Sequence, residues 1–317
     1  MLRYLGQRIL HVVLVLLLVS VATYALLDLL PGSPAYAILG TDATPEAVAA
    51  IEEDLGLNDA FPVRYVRWLG DAVTGDLGKS FKDNQPVWKD MQPRIPVTVE
   101  LAVGALLLAL VVALPVGMWQ AYRENRAADK GLGFAAFTLI SMPPFLIAIL
   151  LVFLFPITLD KFPVTGWARI SDEGWWQNLR YAFLPILSLS LTEMAVLSQV
   201  LRGDMITTLK EDFVLSARAK GMPTGTILFK HALRPSSFSL VTLAAVNLGR
   251  LIGGTVVIES LFGIPGLGKM LVDAIAAKEL VKVQAAVLLI ATVYVVLNTL
   301  VDVTYGWLDP RVRRARG

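Results

Sequence analysis

The 317-residue chain has no cysteine, only two histidines, and only 17% charged residues. The missing cysteines exclude disulfides, thiolate metal sites and cysteine nucleophiles, without pointing to any compartment. His11 and His231 alone supply too few ligands for a histidine-based metal site. Charge falls well below the roughly 25% of a soluble domain, and 56% hydrophobic residues take its place. Neither HExxH nor GxSxG occurs. Asp28, Glu100, Glu193, Glu259 and Asp302 belong to different apolar stretches, so no two carboxylates are paired for acid–base work. A net charge of +2 gives no reason to expect a nucleic-acid partner.

What the chain does have is long apolar runs. A bilayer core needs about 20 apolar residues as helix, because unsatisfied backbone groups cannot face lipid. Six stretches meet that demand, which predicts an all-α integral membrane protein with spans at 9–30, 97–122, 131–159, 181–201, 236–262 and 283–307. The first has basic residues before it and Ala35-Tyr36-Ala37 after it, like a signal peptide. Its 19-residue apolar core is too long for one, so a retained anchor is expected.

Lys and Arg set the orientation. With the N-terminus (1–8) in the cytoplasm, the inner segments are 123–130, the loop 202–235 and the tail 308–317. These carry Arg3, Arg8, Arg123, Arg126, Lys130, Arg202, Lys210, Arg218, Lys220, Lys230, Arg234, Arg311, Arg313, Arg314 and Arg316. Only six acidic residues accompany them, whereas acidic residues outnumber basic ones in the outer segments, so both termini are expected in the cytoplasm. The outer segments include a region at 31–96 with short helices and a loop at 263–282. Thr44-Pro45-Glu46 reads as a helix start, with Gly56 as its stop. Phe61, Tyr65, Trp68 and Leu69 then share one face of a second helix, suited either to the membrane surface or to packing on neighbouring loops.

Two glycine-rich stretches resemble phosphate loops and fall short. Residues 263–270 (GIPGLGKM) end in Met270 where a magnesium-binding hydroxyl belongs, and 73–80 (VTGDLGKS) begin with Val73 instead of glycine. Neither follows a buried strand. In the spans, Pro143-Pro144 and Pro185 should bend their helices, and Gly249, Gly253 and Gly254 allow close helix approach. Glu193 and Arg250 lie mid-span, where ionisable groups are expensive and face partners or water. They either line a pathway or form a structural pair.

The stretch at 212–235 (DFVLSARAKGMPTGTILFKHALRP) is polar between two apolar spans. Good helix formers run to Lys220, Gly221 supplies a stop that Pro223 enforces, and Thr224 is placed to cap a second helix ending before Pro235. The surface so formed is small and basic, suited to another protein's groove or simply solvated.

ARAKG at 217–221 followed by HALR at 231–234 resembles the cytoplasmic loop signature of ABC importer permeases, in the peptide/nickel (dipeptide/oligopeptide) branch and its first-permease type. Of the broader EAA pattern only Ala217 and Gly221 match, with Leu233 downstream, while His231 and Arg234 depart from it. LLPGSPA (29–35), the segment 55–81, SMPPF (141–145), ESLFGIPGLGKML (259–271), KELVKVQAAVLL (278–289) and LDPRVR (308–313) extend the similarity along the chain. The resemblance implies a type I ABC importer (MetI-like) permease fold. It implies a transport subunit that has no cofactor of its own and leaves ATP and Mg to partner ATPases. Those partners would be two ABC ATPase subunits or one fused ATPase, with a second homologous permease and an extracytoplasmic substrate-binding protein, in a bacterial or archaeal plasma membrane. It also implies a coupling role for Asp212, Phe213, Ala217, Arg218, Ala219, Lys220, Gly221 and His231, with Ala217 and Gly221 in the ATPase groove. Short peptides are the expected cargo, with nickel chelates or glutathione as the nearer rival. A non-transport membrane scaffold or lipid-modifying enzyme is the alternative of another class.

Overall fold

In the computed structural model, residues 2–29, 36, 44–54 and 58–308 are described. Most of the exit motif at 29–35, Gly56 and the basic tail beyond 308 therefore lie outside the described residues. The described chain is helical apart from loops and one isolated antiparallel bridge, Lys79 to Pro86. Five of its helices are long and apolar enough to cross a bilayer, and a bent pair makes a sixth when counted as one span. This is an all-α membrane protein. It divides into two compact units, residues 1–98 with 265–299 and residues 99–264 with 300–317.

The first unit contains α1 (Leu2–Leu29), α2 (Pro45–Asp54), α3 (Phe61–Thr74) and α4 (Val87–Met91). It also holds the start of α5 (Ile95–Tyr122), α12 (Leu267–Ala276) and most of α13 (Leu280–Leu308). Pro45 opens α2, where a missing N–H costs nothing because the first turn has no partner for it. The aromatic face of α3 packs on the first span and not on neighbouring loops. Phe61, Tyr65 and Trp68 surround Tyr24 of α1 with ring centroids 5.3–5.7 Å away, and Tyr65 Oη shares a 2.7 Å hydrogen bond with Ser20. The apolar face of an amphipathic helix is satisfied by whichever apolar surface is nearest, and here that is the first span. Val87, Met91, Leu267, Met270 and Ala285 form a separate core.

The second unit is built around α8 (Ile170–Thr208), which begins well before the apolar run at 181. Its one break in helical backbone angles falls at Gly174, and Pro185 sits inside the helix. On α5, a Cβ at Gly117 would lie 2.8 Å from the Ser198 carbonyl of α8, so glycine is what lets these helices touch. Close approach thus falls at Gly117 and at Gly104, where a Cβ would lie 2.6 Å from Ile186 of α8. Gly253 and Gly254 have nothing within 4 Å of where a Cβ would be, contrary to expectation.

The third apolar run is two helices, not one. The helices α6 (Ala127–Ser141) and α7 (Pro144–Val152), the latter extended by a π-turn at Phe153–Thr158, meet at 103°. Pro143 and Pro144 remove two successive N–H donors, and Pro144 holds Pro143 extended at ψ 140°. Helix α9 (Asp212–Ala219) follows α8. The chain then resumes at α10 (Thr224–Thr226) and passes through a π-turn at Ile227–Ala232 into α11 (Leu233–Phe262). The helix therefore does not end before Pro235. The wider π-turn relieves the clash between the Pro235 ring and the carbonyl of His231, four residues earlier.

Candidate functional site

The polar insert is a helix, a tight turn and a second helix. The end of α9 is stopped by backbone geometry: Met222 N–H donates to Ala217 O at 3.2 Å and Gly221 N–H to Arg218 O at 2.9 Å. That is the Schellman arrangement, which needs its residue after the cap in the left-handed region, and Gly221 has φ +74°. The cap of the next helix is Pro223, with no side-chain hydrogen bond, so Thr224 is the first helical residue and not the cap.

Burial divides the predicted docking residues into two faces. Ala217 is only 5% exposed and belongs, with Val214, Ile227 and Ala232, to a core that includes Met205 and Leu209 of and after α8. The resemblance would seat Ala217 in a partner's groove, but its methyl group already packs within its own chain, where spacing of three from Val214 puts both on one inward face. The outward face carries Asp212, Phe213, Arg218, Ala219, Lys220 and Gly221, with Phe213 47% exposed. His231, half-buried, lies in the π-turn. Together these residues hold α9 firmly from behind and present an aromatic ring and cations in front.

Behind this module, Asp129 is 3% exposed and accepts two 2.6 Å hydrogen bonds from Nε and Nη2 of Arg202. Asn125 N–H adds a third bond to the same carboxylate at 2.9 Å. Lys210, exposed, reaches Glu124 at 3.2 Å. The turn between α5 and α6 is thereby tied to the end of α8 from which α9 departs. Sequence reading missed this clamp. Asp129 and Arg202 were visible only as scattered charges, 73 residues apart.

A second polar cluster lies within the apolar helices. Glu193 of α8 is buried and accepts from Arg250 Nη2 and Asn247 Nδ2 of α11, each at 2.6 Å. The two mid-span charges therefore pair with one another. Asn247 was overlooked, although it sits one helical turn before Arg250 and so shares its face. Beside them is a cavity of about 430 Å³, walled by the α6–α7 break at Ser141–Pro144 and by Leu189, Thr192 and Leu251. The glycine-rich stretches serve as joints: Gly263 caps α11 at φ +64°, Gly266 caps α12, and Ser80 hydrogen-bonds the buried Glu279. Among the described residues no cluster of His, Cys, Asp or Glu is suited to a metal.

Comparison with known proteins agrees with this architecture. Residues 113–314 match the binding-protein-dependent transport system inner membrane component, and residues 1–102 match the N-terminal part of such components. The dipeptide transport system permease protein DppB of Alkalihalophilus pseudofirmus is 30% identical over 99% of this chain and 100% of its own length. A peptide transport system permease protein of Brucella abortus is 38% identical over 97% of this chain and 98% of its own. The glutathione transport system permease protein GsiC of Salmonella paratyphi A is 32% identical over 99% of both chains. The chain belongs to the family of inner-membrane components of binding-protein-dependent transport systems.

Proposed function

We propose that this chain is one permease subunit of an ATP-driven importer for short peptides. The observation that carries the reading is α9: a short helix held from within by Val214 and Ala217, ended by Gly221, and offering Phe213, Arg218 and Lys220 outward. A rigid helix with one exposed aromatic and basic face is a docking element in search of a groove. Its partners are ABC ATPases, as two subunits or one fused chain. ATP and Mg are bound there; the two glycine-rich stretches of this chain instead cap helices and pin a hairpin. A second homologous permease completes the pathway, and an extracytoplasmic binding protein delivers cargo.

An excess of Lys and Arg on the α9 side supports a cytoplasmic position for both termini and α9, in a bacterial or archaeal cell. When the ATPases close on ATP, α9 is displaced. The Asp129–Arg202 clamp carries that displacement to α6 and α8 as a unit, because a doubly hydrogen-bonded buried pair does not stretch. Short peptides are favoured as cargo because the full-length relatives are named for peptides, dipeptides or glutathione, itself a tripeptide. Glu193 and Arg250 then lie on the pathway.

The test is purification of the tagged chain in mild detergent, identifying bound subunits and assaying ATP hydrolysis and uptake of labelled di- and oligopeptides. Recovery of a second permease and ATPases, with the ATPases lost on Gly221→Glu, supports the reading. A chain recovered alone under several gentle conditions, without ATPase activity, overturns it.

A further inference from the structure

The pairing of Glu193 with Arg250 is lopsided. Both carboxylate oxygens of Glu193 are occupied, one by Arg250 and one by Asn247, and this acid is buried. Arg250 gives only Nη2 to the pair, and its side chain is 62% exposed. A guanidinium has five N–H donors in a planar fork. The remaining donors make no other hydrogen bond among the described residues, and Arg250 helps to line the neighbouring cavity. Thr192, the neighbour of Glu193 and another lining residue, has a buried hydroxyl with no hydrogen-bond partner. A cation with free donors and an idle hydroxyl, in a wall whose other polar members, Ser141 and Glu193, already have partners, call for an acceptor from elsewhere.

We propose that this cavity is a transit site for the C-terminal carboxylate of a short peptide, with the free edge of Arg250 as its anchor and Thr192 as a second donor. This rests on the peptide-importer reading. A carboxylate presents two oxygens at the spacing of the guanidinium fork, which a point-charge ammonium cannot match. Glu193 and Asn247 are positioning residues. They hold one edge of the guanidinium and cancel no more than part of its charge toward the cavity. The last turn of α6 opens onto the same space at Ile140 and Ser141. Leu139 O already accepts from Met142 N–H, and the neighbouring carbonyls of that turn, which lack intrahelical donors, are acceptors for peptide N–H groups. Ile140, Met142, Leu189 and Leu251 supply apolar walls that do not select among side chains. A volume of about 430 Å³ is within the range of small-ligand sites. The site therefore reads the end of the peptide and tolerates its sequence.

The experiment uses the whole complex in proteoliposomes, with trialanine and trialanine amide each loaded to equal occupancy on the binding protein, so that the binding protein's own preference cancels. The native complex takes up the free acid faster than the amide. Arg250→Gln lowers that ratio at least about tenfold, the effect of a lost charge-assisted hydrogen bond. Arg250→Lys retains part of it. A merely structural Arg250 would slow both peptides together and leave the ratio unchanged, which overturns the proposal. If Arg250→Gln fails to assemble, Thr192→Val decides instead: it removes a hydroxyl with no partner in the protein, and an unchanged ratio there overturns the proposal equally. A native complex that hydrolyses ATP yet takes up neither peptide refutes the peptide reading itself.

Discussion

Gly221 gives the sharpest test of the docking helix, because its conformation and its surroundings make opposite demands on a substitution. Its φ of +74° is left-handed, yet a Cβ added there would meet nothing within 4 Å. Gly221→Ala therefore introduces no clash and only the left-handed strain, about 1–2 kcal/mol. That lowers the equilibrium constant for forming the stopped helix about 5- to 30-fold. If ATPase subunits require α9 in this form, their affinity for purified permease in mild detergent falls by up to that factor, in full where the stopped form becomes the minor one. Asn tolerates the left-handed region through local hydrogen bonding, so Gly221→Asn costs clearly less than Ala despite its larger side chain. Gly221→Glu carries the strain and adds a charged chain to the outward face, and should abolish binding. Titration of fluorescently labelled ATPase subunits onto each variant gives the three dissociation constants. An Asn variant weaker than the Ala variant would refute the reasoning, since bulk and not φ would then govern. Three variants that bind like the native chain would refute the docking role of the turn altogether.

Asp129→Asn leaves Arg202 facing a neutral amide; with Arg202 27% exposed, the loss of this half-buried pair costs about 1–3 kcal/mol. The complex should lose thermal stability and hydrolyse ATP with less uptake per ATP, and a cycle with Arg202→Gln should recover part of the lost stability. Lys278 sits at φ +57° after the cap of α12, with Glu279 N–H donating to Ala274 O at 2.8 Å, the same stop that Gly221 makes. Lys278→Gly relieves that strain and should raise the thermal midpoint of unfolding, by about 1 kcal/mol of stability. A lowered midpoint would show that the lysine side chain matters more than its backbone. Asp83 accepts a hydrogen bond from Gln85 N–H at 3.2 Å, and that bond above all holds its carboxyl below the usual carboxylate range. A depressed pKa in the fold means that the contact stabilises the hairpin above the ordinary carboxylate pKa and is lost as pH falls through the lower value. Hydrogen exchange at Gln85 should therefore accelerate below about pH 4, and Asp83→Asn should remove that step.

Much of α9 was legible because its signals are local. Helix formers up to Ala219, a glycine free to adopt a positive φ and a proline two residues on act within a few bonds of one another. A bend at Pro143-Pro144 was legible for the same reason, but the structure turns it into a break of 103° between two helices. The errors came where a neighbour overrode the local rule. Thr224 has a capping side chain but sits inside the helix, after Pro223. Pro235 is a helix breaker that the π-turn before it accommodates. Gly253 and Gly254 look like a contact stripe, while the close contact belongs to Gly117 against Ser198. The aromatic face of α3 was visible in its spacing, but that spacing is equally consistent with lipid, loop or helix, and Tyr24 decided it.

The sequence by itself determined that this is an all-α membrane protein with a polar helix–turn–helix between two spans. Both follow from free energies that add up residue by residue: transfer of apolar side chains into lipid, and backbone preference at glycine and proline. Only the tertiary structure decided which face of α9 is available, that Glu193 chooses Arg250 and Asn247, and that Asp129 and Arg202 form a clamp. Those choices depend on distances between residues 54, 57 and 73 positions apart. Electrostatic and hydrogen-bond energies fall off within a few ångströms, so a pattern along the chain cannot say which of several charges will meet.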